Sequence, residues 1–248
     1  GLAGKKNLGK SRFISNNEIK NFLPNLQDKF KGGVSYLDGQ FDDARLNLLI
    51  ALTAEKAGTI IKNYCKVIDF EKSADGKING VISQDVSGQQ YLWETNIVIN
   101  ATGIGSDKIR QQVDSNCEPR IVTSRGTHIV LNTQLCPKGL GLLSPSTDDG
   151  RVLFVLPFFG RTIVGTTDQT CSPENAFDPT DIEQQYLLNH LHQLFKLDKK
   201  TKIKSSWAGG RPLLKQNKEV LSSSNLIREH EIEIHPSGMI SAMGGKWT

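Results

Sequence analysis

The short apolar run Asn96–Ile97–Val98–Ile99–Asn100 leads straight into Ala101–Thr102–Gly103, and this junction constrains the chain more than any other segment. Such a run has the texture of a parallel strand buried on both faces. Gly103 and Gly105 at its C-terminal end let the backbone approach a phosphate or a ribose with no Cβ in the way. A plain strand-to-helix turn explains the same residues. As a GxGxxG fingerprint the segment fails, because Lys108 holds the third glycine position and no acidic residue closes a clear second strand about 20 residues on.

Around this junction the pattern divides in two. Ser15 or Asn16 can cap a short helix over residues 17–23 that Pro24 stops. Asp42 or Asp43 can cap a longer one, in which Leu46, Leu49, Ile50, Thr53, Ala54 and Ala57 recur at helical spacing until Gly58, and whose apolar face is expected to pack on a sheet. Ile60–Ile61 and Val67–Ile68 read as strand, and with turns at Asp75–Gly76 and Asp85–Val86–Ser87–Gly88, residues 65–94 form a small antiparallel meander. Beyond residue 115, alternating strands at Gly126–Leu131, Arg151–Pro157 and Arg161–Thr167, with turns at Asp148–Asp149–Gly150 and Phe159–Gly160, predict a second, antiparallel unit. A helix between Asp178 and Leu197 presents Ile182, Tyr186, Leu187, His190, Leu191 and Leu194 on one face and is expected to cover that sheet. Glu231–Ile234 and Met239–Met243 make a closing hairpin around Pro236–Ser237–Gly238.

Composition narrows the function classes. The 248 residues suffice for one large domain or two modest ones, and 37% hydrophobic with 23% charged residues is ordinary for a globular chain. A net charge of +4, spread without a basic stripe, argues against a nucleic-acid partner. The four cysteines, Cys65, Cys117, Cys136 and Cys171, contain no CxxC pair, so they read as reduced thiols and no metal site is expected. No run approaches the roughly 20 apolar residues of a spanning helix, and the first six residues lack the apolar stretch of a signal peptide, which predicts a soluble or peripheral chain.

Four further segments could carry chemistry. In Arg125–Gly126–Thr127–His128–Ile129–Val130, alternation puts His128 on the side of Gly126 and Val130, opposite Thr127 and Ile129. In Trp207–Ala208–Gly209–Gly210–Arg211–Pro212, two glycines and a stiff proline hold a guanidinium at a defined place with open space beside it. Gly165–Thr166–Thr167–Asp168 closes a strand, and Gly244–Gly245–Lys246 ends a hairpin with backbone N–H groups free to meet an anion or a carbonyl. A core histidine, a structural ion pair, a turn and a hairpin end explain each singly.

Together and in this order, the segments resemble the FAD-dependent glycerol-3-phosphate dehydrogenases within the amino-acid-oxidase-like flavoproteins. The resemblance rests on Tyr36–Leu37–Asp38–Gly39–Gln40 with Asp42–Asp43–Ala44–Arg45, Val98–Ile99–Asn100–Ala101–Thr102–Gly103, Gly126–Thr127–His128–Ile129–Val130, and Asp149–Gly150–Arg151 with Leu156–Pro157. It continues through Gly165–Thr166–Thr167–Asp168, Gly210–Arg211–Pro212–Leu213 and Gly244–Gly245–Lys246–Trp247–Thr248. Ile104 departs from the proline that usually follows Asn–Ala–Thr–Gly. The implied fold is α/β plus α+β: a partial FAD-binding, Rossmann-like domain (39–115, rejoined by 231–248) with an antiparallel-sheet substrate domain (116–230, joined by 1–38).

The resemblance also implies roles. Val67, Ala101, Thr102, Gly103, Gly244, Gly245, Lys246, Trp247 and Thr248 would lie against the FAD. His128, Arg211 and Lys246 would face the substrate, with His128 as the base, Arg211 as an alternative stabiliser of the alkoxide, and Arg211 with Lys246 holding phosphate and oxyanion. The implied reaction oxidises glycerol 3-phosphate at C2 to dihydroxyacetone phosphate. Electrons would pass to a membrane quinone, with peripheral attachment at the cytoplasmic face of a bacterial membrane or at the mitochondrial inner membrane. The family's strand-borne GxGxxG unit is not among these residues, so the chain alone is expected to bind FAD weakly or not at all and to be inactive. An oxygen-using glycerophosphate oxidase, another amine or hydroxy-acid oxidase, and a non-catalytic module from a decayed oxidoreductase remain open alternatives.

Overall fold

A computed structural model describes residues 8–145, 147, 150–215 and 230–245. In chain order the strands are β1 (Arg12–Ser15), β2 (Gly32–Ser35), β3 (Cys65–Lys72), β4 (Ile78–Asp85), β5 (Gln90–Glu94), β6 (Ile99–Asn100) and β7 (Ile121–Leu131). There follow β8 (Leu142–Ser144), β9 (Leu153–Phe158), β10 (Arg161–Gly165), β11 (Gln169–Thr170), β12 (Ile203–Leu214), β13 (His230–Ile234) and β14 (Ile240–Gly244). The helices are α1 (Asn16–Phe22), α2 (Asp43–Lys56), α3 (Ser106–Val113) and α4 (Asp181–Leu194).

β7 organises the largest sheet. β12 runs antiparallel along its whole length, while β10 and β11 pair with different halves of its other edge, and β9 and β8 continue beyond β10. The Thr127, Ile129 and Leu131 face of β7 points into a core shared with Val155, Val164 and the Leu187, Leu191 face of α4, all at most 1% exposed. Each aliphatic side chain among them contributes about 1.5–3 kcal/mol by leaving water. α4 starts where Thr180 and Glu183 close a capping box, and α1 starts on the same device made by Ser15 and Glu18.

The meander expected over residues 65–94 forms as β3, β4 and β5 in that order. β6 pairs in parallel with β14, the return strand of the closing hairpin, which itself pairs antiparallel with β13. No helix among the described residues is long and apolar enough to cross a membrane.

Three sequence expectations are corrected, and one strand was not anticipated. α2 forms where expected, from an Asp42 cap, but none of its residues is buried, and Leu49 and Ile50 are about half exposed. An apolar stripe states that a helix needs a partner; it does not state which segment provides one. Ile60–Ile61 is not strand: both side chains are exposed and pairing begins only at Cys65. The strand expected over Arg161–Thr167 ends at Gly165, where the chain bends. β12, the longest strand, has no counterpart in the sequence reading, because Gly209, Gly210 and Pro212 interrupt the β pattern. Pro212 is tolerated since, among the described residues, β12 pairs only with β7, so one of its edges needs no ladder donor there. Of the turn expected at Asp148–Asp149–Gly150, the two aspartates lie outside the described residues.

Candidate functional site

Cross-strand register decides which side chains meet. His128 is paired with Trp207 on β12 and with Gly165 on β10, while Ser124 is paired with Arg211 and Gly126 with Gly209. Paired residues share a face, and residues two apart share it again, so His128, Trp207 and Arg211 all project from the face opposite α4. The Trp207 ring stacks on the imidazole with centroids 5.8 Å apart and planes 15° from parallel.

Two glycines make the room. A Cβ at Gly165 would lie 2.1 Å from His128 Cδ2, and a Cβ at Gly126 would lie 2.3 Å from Arg211 Nη2. The imidazole therefore fills the space over one glycine and the guanidinium the space over the other.

The bend after β10 holds Arg211. Its Nη2 donates to Thr166 Oγ1 at 2.9 Å and its Nη1 to the Thr167 carbonyl at 3.2 Å. Thr167 is anchored in turn: its Oγ1 accepts from the Thr127 N–H at 2.8 Å and donates to Glu183 Oε1 at 2.7 Å. Glu183 meets Arg125 between α4 and the sheet face it covers, with Nε 2.8 Å from Oε2, an ion contact without the alignment of a hydrogen bond. Burial pulls the Glu183 carboxyl upward and is the largest single influence, yet hydrogen bonds from Thr167 and Thr180, with the Arg125 charge, hold it below the usual range. Ser124 Oγ donates to Asp168, fixing the far end of the bend. The sequence reading singled out Gly165–Thr166–Thr167–Asp168 without a role; the anchors Glu183 and Arg125 it did not find. A capping-box glutamate on α4 was the one available signal.

Electrostatics set the state of His128. Burial first, and then the Arg211 charge, lower its pKa to about 4, against a weaker opposite pull from Asp43 at the start of α2. The imidazole is neutral at pH 7. Because the folded value lies below the unfolded one near 6.5, the unfolded chain binds the extra proton first. The contribution is complete above the unfolded value and is lost as pH falls from about 6.5 through about 4, up to about 3 kcal/mol. Denaturant unfolding at pH 7 and pH 4.5 should show this loss shrinking in His128→Gln; an equal loss in both proteins would contradict it.

The turn after β6 meets β12 at Gly210, on the α4 side of the sheet, opposite His128 and Arg211. Asn100 is 2% exposed, and its Nδ2 donates to the Ser106 carbonyl at 3.0 Å and to Ser241 Oγ at 3.3 Å while its Oδ1 accepts from Thr102 Oγ1 at 2.7 Å. Ala101 and Thr102 are exposed beside it. Ile104 packs against Gly210, the residue before Arg211, which joins the turn to β12. Val67 lies half-buried on β3, and Gly244 and Gly245 end β14 with φ of 73° and 85°. The described structure thus brings His128 and Arg211 together on one face, while the turn that carries Gly103 is joined to β12 by Ile104 at Gly210. Lys246, Trp247 and Thr248 lie outside the described residues.

A family model described as FAD dependent oxidoreductase matches residues 2–248. The mitochondrial glycerol-3-phosphate dehydrogenase of Arabidopsis thaliana is 36% identical over 255 residues, covering all of this chain and 40% of that protein. The FAD-complexed glycerol-3-phosphate dehydrogenase of Bacillus halodurans superposes with a TM-score of 0.79 at 29% identity, over 94% of this chain and 45% of that one. The L-alpha-glycerophosphate oxidase of Mycoplasma pneumoniae shares the fold, with a TM-score of 0.73 at 19% identity over 98% of this chain and 61% of that one. The chain spans well under half the length of the curated relatives it matches.

Proposed function

Because the chain belongs to the FAD-dependent oxidoreductase family, we propose that it supplies the substrate side, and part of the flavin side, of an enzyme that oxidises sn-glycerol 3-phosphate to dihydroxyacetone phosphate. The observation that carries this reading is a neutral imidazole and a guanidinium side by side on one sheet face, each seated over a glycine. The names of the relatives supply the substrate.

The fit to FAD is tested on the chain's own atoms. Gly103 has a φ of 59° and open space where a Cβ would stand, so the backbone there is approachable. Ser106 Oγ is wholly buried without a hydrogen-bond partner, and α3 begins without a side-chain cap, which leaves donors at the same turn for a ligand's oxygens. Ala101, Thr102 and Gly103, with Val67, Gly244 and Gly245, would hold the group, joined by Lys246, Trp247 and Thr248. When bound, FAD supplies the hydride acceptor that no side chain can be.

His128 accepts the C2 hydroxyl proton: its ring is neutral across physiological pH, at the cost of basicity lost first to burial and then to the Arg211 charge. A phosphate dianion near Arg211 offsets that charge and restores part of the basicity. Arg211, held flat by Thr166 and Thr167, offers the planar fork that suits phosphate or a developing alkoxide, and Lys246 adds a second charge. Residues 116–230 with 1–38 form the substrate domain, and 39–115 with 231–248 the flavin-side part.

A membrane quinone is proposed as electron acceptor rather than oxygen, with peripheral attachment to the mitochondrial inner membrane or a bacterial membrane; the mitochondrial designation of the Arabidopsis relative favours this. The chain by itself is proposed to be inactive and to hold FAD weakly, in keeping with its share of the relatives' length. In a full-length protein carrying this segment, Arg211→Ala should lower kcat/KM for glycerol 3-phosphate about 10²- to 10³-fold, the loss typical of one preorganised donor to a developing oxyanion. Steady-state assays with a dye acceptor check this, and unchanged kcat/KM would remove Arg211 from the site.

A further inference from the structure

We propose that Trp207 is a positioning residue for His128: its indole closes one side of a slot whose other side is the space over Gly165, and this slot sets the plane in which the imidazole meets the substrate. The inference rests on the base role proposed for His128 and goes beyond it, since that role leaves open what orients the ring.

One row of residues across the sheet builds the slot. Register places Phe154 of β9, Gly165 of β10, His128 of β7 and Trp207 of β12 side by side, all on the face opposite α4. Gly165 leaves the gap in that row, and the imidazole leans into it: Cδ2, Nε2 and Cγ lie 2.1, 2.6 and 2.8 Å from where a Cβ would stand. Trp207 fills the opposite side. Its ring lies within 15° of parallel to the imidazole with centroids 5.8 Å apart, an offset stack. The indole is backed in turn by Phe158, with centroids 6.1 Å apart, and Phe158 meets Phe159 edge to face at 4.8 Å.

Packing stands here where a hydrogen bond usually would. A histidine base is commonly oriented by an acceptor on its second ring nitrogen. Among the described residues neither nitrogen of His128 has such a partner, and the influences on the ring are burial and the charges of Arg211 and Asp43. An aromatic face fixes the plane of the ring and adds no charge beside it.

The same indole keeps water from the imidazole. The charged groups that face the ring are Arg211 from β12 and Asp43 from the start of α2, while β9 and β10 bring only Phe154 and Gly165 to the row. Lys246, assigned to the same side, lies outside the described residues. Burial outweighs both charges, so opening the indole side to water moves His128 up toward its ordinary value.

The test is a double-mutant cycle in the full-length FAD-loaded protein. Trp207→Ala should lower kcat about 10²-fold with KM far less affected, the loss that follows when a reacting group shifts by about 1 Å. Trp207→Phe, which keeps a flat face, should recover most of that loss. In the His128→Gln background Trp207→Ala should cost about twofold or less, because the indole then has no base to place. The midpoint pH for carbethoxylation of His128, read by peptide mass, should rise in Trp207→Ala from about 4 toward the ordinary value of about 6.5. Where Trp207→Ala fails to hold flavin, Trp207→Leu takes its place: it keeps apolar bulk without a flat face and should lower kcat about tenfold. An equal loss in both backgrounds, kcat unchanged without the flat face, or a carbethoxylation midpoint that stays put in Trp207→Ala would overturn the positioning role. Near-normal turnover in His128→Gln alone would instead remove the base reading, and this role with it.

Discussion

Replacing His128 by glutamine in a full-length protein that carries this segment is expected to lower kcat for glycerol 3-phosphate about 10²- to 10⁴-fold, the usual contribution of a positioned general base. Glutamine keeps the size and polarity over Gly165 and the stacking surface under Trp207, but it takes no proton. KM should change far less than kcat, because the phosphate is assigned to Arg211 and Lys246 rather than to the imidazole. The flavin absorbance of the purified variant should match the parent, which separates lost chemistry from lost folding. Turnover near normal would take His128 out of the reaction.

Replacing Glu183 by alanine should destabilise the fold by about 3–5 kcal/mol, the cost of leaving a buried partner charge uncompensated. Glu183 and Arg125 are 7% and 8% exposed, so water screens neither. The same carboxylate receives the Thr167 hydroxyl and closes the cap of α4. Its loss removes the anchor of the bend that positions Arg211. Urea unfolding measures the stability loss, and Glu183→Gln should cost less, because the amide still meets Thr167 and Thr180. A loss under about 1 kcal/mol in Glu183→Ala would mean that the Arg125 charge is satisfied by its other contact, the Asn175 carbonyl.

Local chemistry was legible in the sequence where its cause is local. The Ser15 and Asp42 caps, the Asp75–Gly76 and Asp85–Gly88 turns and the closing hairpin depend on neighbours within a few residues, and they form as read. β12 was hidden because its role comes from register, not pattern: Gly209 and Gly210 weaken a strand locally but admit Ile104 and the open floor beside Arg211. The placement of α2 was illegible for a different reason, since nothing among the described residues covers it. His128 and Arg211 were recognisable as residue types set beside glycines. Their meeting followed only from the resemblance, because strands far apart in sequence must first be brought into pairing. The link from Arg211 through Thr167 to Glu183 joins three elements, and no single segment announces it.

The most direct measurement is a crystal structure of the full-length FAD-loaded protein with dihydroxyacetone phosphate bound. A ligand oxygen on the Arg211 guanidinium, with the C2 oxygen within hydrogen-bond reach of His128, is the expected result. A ligand seated away from the β7–β12 face, with neither side chain touching it, would contradict the substrate role given to that face.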